Sequence, residues 1–336
     1  MIRSPVLIIG CARSGTTLLY NVLSEVDGLW SLGYESKAII EHRHSPAARG
    51  WESGALSAAD LTDESRAELL AAFAAAAAPG SYWRRVNALR RGLNGTRFYT
   101  ALKRPGRAGA GAAGDVAAGV PGAGLGAARA VARLRRRLSP PGRPIRLLEK
   151  TPENCLRLPF LQALFPDARV LFLVRDGRAN VHSLLEGWRQ PRLFPGYRTP
   201  VPVTSPGQTR GRWAFTLIPG WRDLVDRSLV EICARQWAVG NATVLDYAAA
   251  PGALPVLTVR YEELVAAPDA TLEAIARFLG LAPGDIPAYG HDLPEVNVVS
   301  APGAEKWRAE AGHPAPAVPI LAPGTVRLGR EEKEYP

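Results

Sequence analysis

Eight residues near the start of the chain, Gly10-Cys11-Ala12-Arg13-Ser14-Gly15-Thr16-Thr17, have the glycine spacing of a loop that holds phosphate oxygens. In the pattern GxxxxGK[ST], backbone N–H groups and a helix N-terminus face the anion, and a lysine neutralises the outer phosphates of a triphosphate. Thr16 stands where that lysine would be. The change argues against nucleoside triphosphate chemistry and leaves anion binding intact. Three other charged residues join Arg13 as candidates for chemistry: Glu35, which can take a proton, and Lys150 and Arg175, which can neutralise an oxyanion. Lys150 stands out because the chain has five lysines against 36 arginines. Where arginine is the default cation, a compact ammonium is a choice.

The elements that must position these residues follow from periodicity. Val6 to Ile9 is a short apolar strand, and after the loop the spacing of Leu18, Leu19, Val22 and Leu23 becomes helical. Leu29 to Gly33 reads as a second strand that leaves through Glu35 and Lys37. Ser57 to Ala78 reads as a helix stopped at Pro79-Gly80. Ile145 to Lys150 is a strand ending on charge, followed by a helical segment from Pro152 to Leu164. Arg169 to Val174 is a continuous apolar run of the kind found in buried parallel strands, and Asp176-Gly177 opens a helix after it. Gln190 to Arg212, rich in proline, arginine and aromatic residues, is expected to be a long loop, Val225 to Ala249 a helix, Leu254 to Val259 a last strand, and Thr271 to Leu279 an amphipathic helix.

The expected fold is therefore α/β, a P-loop-type parallel sheet of about five strands with helices on both faces. Ligands of such sheets sit at the carboxyl ends of the strands. That edge is where Arg13, Glu35, Lys150 and Arg175 fall. Each has a plain alternative: Glu35 as a helix cap, Lys150 as a snorkelling side chain, Arg175 as a partner of Asp176. Their convergence on one edge favours a site.

The 336 residues, 47% apolar, suffice for one large domain, and residues 1–336 are read as one, with a mobile Ala/Gly/Arg-rich insertion at 104–144. Cys11, Cys155 and Cys233 form no C-x-x-C pair, and the five histidines form no ligand cluster, so neither a disulfide framework nor a metal site is expected. No secretory leader precedes the first strand and no apolar run is long enough to span a bilayer, which points to the cytoplasm. The net charge of +10 favours anionic ligands. Without a recognised binding module or stacking aromatics, nucleic acid is not an expected partner.

The phosphate loop, together with Val174-Arg175-Asp176-Gly177-Arg178-Ala179-Asn180-Val181-His182-Ser183, resembles the two signatures by which sulfotransferases bind 3′-phosphoadenosine 5′-phosphosulfate (PAPS). The likeness is closest to the tyrosylprotein sulfotransferase branch and related bacterial enzymes. It runs discontinuously from Val6 to about Gly33, Leu147 to Trp188 and Val256 to Trp307. It implies that Arg13, Ser14, Gly15, Thr16 and Thr17 hold the 5′-phosphosulfate and that Arg175 and Ser183 clamp the 3′-phosphate. Tyr261, in VRYEEL, would lie near the nucleotide, and Lys306, in a segment resembling SKW, would reach it. A loop that binds one phosphate and one sulfonate needs no lysine for a γ-phosphate, and Arg13 can serve the transferring group.

Two further matches bear on catalysis. Gly33-Tyr34-Glu35-Ser36 resembles GEET, whose second glutamate is the family's general base, and Glu149-Lys150-Thr151-Pro152 resembles NKDP, whose lysine stabilises the sulfuryl transition state. The resemblance thus implies metal-independent, in-line transfer from PAPS to a hydroxylated acceptor, a small molecule or a glycan. The pattern departs in two places. The stretch from Arg13 to Glu35 is one residue longer, and the family's arginine four places after the clamp serine is Gly187, with Arg189 as a substitute. Glu149 and Glu153 stay open as bases. Trp188, Arg189, Tyr197, Trp213 and Trp221 are candidates for either the acceptor pocket or packing. Two other readings stand beside this one. In a kinase-like enzyme Asp176 would hold magnesium, against which the adjacent Arg175 argues. A silent nucleotide-binding scaffold would have no need to keep Glu35 and Lys150.

Overall fold

The computed structural model describes residues 1–84, 144–205, 208–290, 293 and 318–328; Lys306 and nearly all of the 104–144 insertion lie outside them. Among the described residues six strands form the central sheet. In chain order they are β1 (Val6–Ile9), β2 (Leu29–Ser31), β3 (Ala78–Pro79), β4 (Arg146–Lys150), β5 (Arg169–Val174) and, after a separate hairpin, β8 (Val256–Arg260). Their spatial order is β3-β2-β4-β1-β5-β8, and all pairings are parallel except the antiparallel edge between β2 and β3.

The strands' alternation builds two cores. Leu7, Ile9, Leu147, Val170, Phe172 and Val174 face one side, and Val6, Ile8, Leu148, Leu171 and Leu173 face the other. The first core is covered by α3 (Asp63–Ala76), α4 (Leu158–Leu164), α5 (Gly177–Trp188), α6 (Leu229–Ala249) and α9 (Val318–Arg327), together with Ile40 of α2 (Lys37–His44). The second is covered by α1 (Thr16–Ser24), α7 (Tyr261–Ala266) and α8 (Pro268–Leu279). Burial on both faces explains why β1, and β5 after Arg169, are continuously apolar rather than alternating.

Three expectations are corrected in detail. The helix expected to reach Ala78 ends at Ala76, because Ala77 turns extended at ψ 147° and Ala78-Pro79 pairs with Trp30-Ser31 as an edge strand. Proline at an edge leaves no ladder donor missing. The expected loop from Gln190 to Arg212 holds a hairpin, β6 (Val203–Ser205) with β7 (Gln208–Arg210), and Tyr197 and Trp213 exchange backbone hydrogen bonds of 2.8 and 2.9 Å. The segment from Pro152 splits into a tight 3-10 turn over Pro152–Leu156 and then α4.

Register brings the site together. β1 lies between β4 and β5, so the chain diverges to opposite sides of β1 and opens a crevice at its carboxyl end, where the phosphate loop sits. Val174 pairs with Arg260, which puts the next residues, Arg175 and Tyr261, side by side. Ser31 pairs with Leu148, so the chain leaving β2 passes the end of β4 at Lys150. The turn between them needs Gly33. Its φ is +78°, and a Cβ there would fall 1.7 Å from the Trp83 ring, whose N–H donates to Ser31 at 3.0 Å. We expect Gly33→Ala to lower stability by about 1–3 kcal/mol or more in denaturant unfolding. Unchanged stability would mean that this turn does not anchor the loop carrying Glu35.

Candidate active site

The phosphate loop is built by two left-handed residues. Arg13 has φ +70° and Gly15 φ +99°, the latter at the N-terminus of α1, where no side chain caps the helix. A Cβ on Gly15 would lie 2.4 Å from the Tyr261 ring, and one on Gly10 2.5 Å from the Leu173 carbonyl. Of the first-turn amides of α1, Leu18 N donates to the Gly15 carbonyl at 2.9 Å while those of Thr16 and Thr17 have no intrahelical acceptor, and Ser14 Oγ is buried without a hydrogen-bond partner. A bare helix N-terminus with an orphaned hydroxyl beside it fits an anion.

Cations surround this loop. Arg13 Nε donates to Ser183 Oγ at 3.2 Å, and Arg175 Nη1 donates to the Arg13 carbonyl at 3.1 Å while its guanidinium packs 4.7 Å from the centre of the Tyr261 ring. Burial first, and the neighbouring Arg175 second, pull the Arg13 pKa below its ordinary value, with Glu186 and Tyr261 opposing. Two guanidinium groups held this close are relieved by a bound anion. Arg13, Ser14, Gly15, Thr16, Arg175, Ser183 and Tyr261 thus gather at one place, with Thr17 following in the first turn of α1.

Lys150 and Glu35 meet beside it. Lys150 Nζ lies 2.7 Å from Glu35 Oε1; the lysine side chain is 7% exposed and the glutamate's 42%. The loop carrying Glu35 is stapled to β4 by its neighbour. Ser36 N donates to Thr151 Oγ1 at 2.7 Å, and Ser36 Oγ donates to Glu149 Oε1, also at 2.7 Å. Asn154 Nδ2 takes the other Glu149 oxygen at 3.0 Å. Burial pushes the Glu149 carboxyl up, against hydrogen bonds from Thr151, Ser36 and Asn154. On the far side, the Tyr20 hydroxyl accepts from Gly33 N at 2.7 Å. Ser36, Thr151, Asn154 and Tyr20 were not singled out in the sequence. The signal for Ser36 and Thr151 was their position next to Glu35 and Lys150.

The other expected residues fall differently. Glu149 is fully buried, with both oxygens engaged. Glu153 is buried against Lys37 at 3.1 Å; burial opposes its ionisation, but Lys37 and Arg157 outweigh that and hold its carboxyl below the usual range. Asp176 caps α5 by accepting from Ala179 N at 2.9 Å, the role of a helix start rather than of a metal ligand. Trp188, Trp213 and Trp221 are fully buried and pack edge to face, which makes them core. Tyr197 is buried with its hydroxyl on Glu41 at 2.7 Å. Gly187 has no room for a larger residue, since a Cβ would fall 2.4 Å from Phe215, and Arg189 is an exposed residue at the end of α5. Among the described residues no group of three or more His, Cys, Asp or Glu side chains is placed to hold a metal ion, and no helix is long and apolar enough to cross a membrane.

A parallel sheet with an anion loop at its switch point and a carboxylate–ammonium pair at the neighbouring strand end defines a P-loop-type group-transfer fold. The model of the sulfotransferase family matches residues 5–199, and the chain belongs to that family. Protein-tyrosine sulfotransferase 2 of Gallus gallus is 27% identical over 153 residues, 45% of this chain and 33% of the relative. Protein-tyrosine sulfotransferase A of Caenorhabditis elegans is 26% identical over 147 residues, 44% of this chain and 30% of the relative. The matches span about a third of the length of these curated relatives. Among solved structures, sulfotransferase STF9 of Mycobacterium avium is similar with a TM-score of 0.48 at 13% identity, covering 98% of this chain and 78% of that one.

The cap assignment is testable. Asp176→Asn keeps a capping oxygen and should unfold at nearly the native temperature, whereas Asp176→Ala should lose about 1 kcal/mol. If the two lose stability equally, Asp176 is not acting as a cap.

Proposed function

We propose that the protein moves a sulfuryl group from PAPS to an acceptor hydroxyl, in line and without a metal. The single observation that carries this reading is the Lys150–Glu35 contact of 2.7 Å beside an anion loop that lacks the triphosphate lysine. The donor's fit rests on the orphaned Ser14 hydroxyl, the crowding at Gly10 and Gly15 and the paired guanidiniums. When bound, PAPS supplies an activated sulfuryl group on a phosphate leaving group.

The chain's own residues do the rest. Ser14, Gly15, Thr16 and Thr17 present hydroxyls and first-turn amides to the 5′-phosphosulfate, and Arg13 adds a cation. Arg175 and Ser183 take the 3′-phosphate, with Tyr261 stacked on Arg175 and Gly15. Lys306 would add a further cation, as the family resemblance implies. Glu35, the exposed partner of its pair, takes the acceptor's proton as the new oxygen–sulfur bond forms and the bond from sulfur to the 5′-phosphate oxygen breaks, releasing adenosine 3′,5′-bisphosphate. Lys150 faces negative charge that builds on the sulfuryl oxygens and the leaving oxygen. Glu149 and Glu153, buried and engaged, are supports rather than bases in this scheme. Residues 1–336 are read as one domain because both cores share one sheet. The three buried free thiols suit a reducing compartment such as the cytoplasm.

The test is ligand choice. Adenosine 3′,5′-bisphosphate should raise the melting temperature more than magnesium–ATP does, since a ligand bound only by the folded state stabilises it. Arg175→Ala should weaken the bisphosphate by roughly 1.5–3 kcal/mol and leave adenosine 5′-phosphosulfate nearly unaffected. A larger shift with magnesium–ATP would replace this reading with the kinase one.

A further inference from the structure

The acceptor hydroxyl must sit between Arg13, at the donor, and Glu35, at the base, and one stretch of chain touches both sides of that gap. The Phe194 ring centre lies 5.0 Å from Arg13 Cζ. Three residues on, the Tyr197 ring centre lies 3.5 Å from Nζ of Lys37, which follows Glu35 by two positions. Phe215 packs against Phe194 with ring centres 5.3 Å apart. It does so at φ +60°, a conformation that costs an aromatic residue free energy and persists only where the surroundings impose it. Arg212 Nη1 clasps the stretch by donating to the carbonyls of Phe194 at 2.6 Å, Pro195 at 2.9 Å and Pro191 at 3.2 Å.

The polar groups of this wall are turned to the protein. The Tyr197 hydroxyl is on Glu41, Lys37 on Glu153, and the indole N–H of Trp213 on the Thr216 carbonyl at 2.9 Å. Phe194 and Phe215, by contrast, remain half-buried. A surface of ring faces accepts apolar carbon and leaves a sugar's additional hydroxyls stripped of water without partners.

We propose that Phe194 and Phe215 form the acceptor-side wall of the transfer site and select a hydroxyl carried on an apolar framework, aryl or alkyl, over a sugar hydroxyl. This rests on the sulfuryl-transfer reading of the same site. Phe194 lies over the donor's arginine, and Tyr197, three residues on, packs on Lys37 at the start of the helix that follows the base, so the wall meets whatever framework bears the reacting oxygen.

The experiment measures label transfer from PAPS by the full chain to 2-naphthol and to N-acetylglucosamine, alongside calorimetric binding of adenosine 3′,5′-bisphosphate. We expect kcat/KM for 2-naphthol to exceed that for the sugar by about tenfold or more. Phe215→Ala should raise the KM for 2-naphthol about tenfold, with kcat changing much less, and Phe215→Leu should recover most of the loss. Bisphosphate affinity should stay within about twofold in both, because Phe215 touches Phe194 and not the anion loop. Phe194→Leu, which keeps an apolar side chain but removes the ring, should shift KM in the same direction as Phe215→Ala and gives the check if Phe215→Ala fails to fold. Preference for the sugar, no transfer to 2-naphthol by a chain that binds the bisphosphate, or an unchanged KM in Phe215→Ala or Phe194→Leu would overturn the proposal. A chain that does not bind the bisphosphate would overturn the sulfuryl-transfer reading and this proposal with it.

Discussion

Glu35 and Lys150 stand 115 positions apart in the chain, and their 2.7 Å contact depends on how two strand ends are tied to each other. The tie is the buried Glu149 carboxyl with Ser36 and Asn154 on its two oxygens, reinforced by the Ser36 amide on Thr151. A carboxyl in that position is costly unless its hydrogen bonds are made, so the staple cannot loosen without stranding it. The residues on either side of the staple are thereby fixed as well. Glu35 precedes Ser36 and Lys150 follows Glu149, so a rigid buried link holds a buried ammonium and its half-exposed carboxylate partner at the cleft. Tyr20 and Trp83 brace the same loop from α1 and from the segment after β3.

The anion side is organised by a different constraint, the crowding of like charges. Arg13 and Arg175 are held together by the sheet register and by the strained turn at Arg13, and each is covered by an aromatic ring, Phe194 on one and Tyr261 on the other. Partial burial weakens screening and raises the benefit of an anion placed between them. The loop meets this without a lysine at position 16, because its cation enters at position 13 and returns over the loop toward Ser183. The link between sequence and chemistry here is the backbone: only a left-handed residue at 13 and a glycine at 15 let the loop fold under Tyr261.

Much of this was legible in the sequence. The five parallel strands and the helices after them showed in periodicity, because buried strands and amphipathic helices write their burial into residue order. The convergence of Arg13, Glu35, Lys150 and Arg175 followed from their positions at strand ends. The edge strand at Ala78-Pro79 was hidden, since two residues carry no period and the alanine run before them reads as helix. The hairpin after Pro202 was hidden too, by a composition that reads as loop. What the sequence alone could not separate was the set of neighbouring acids: Glu35, Glu149 and Glu153 look alike in order, and only burial distinguishes a half-exposed carboxylate from two buried ones. The tryptophans were ambiguous for the same reason, and their packing resolves them as core.

The central claim is that Glu35 and Lys150 act together at one reacting centre, and a double-mutant cycle on single-turnover transfer tests it most directly. Glu35→Gln and Lys150→Ala should each lower the transfer rate by about 10²-fold or more while bisphosphate affinity changes little. Made together, they should cost far less than the product of the two losses, as groups that work as a unit do. Multiplicative losses, or near-normal transfer in Glu35→Gln, would contradict the account.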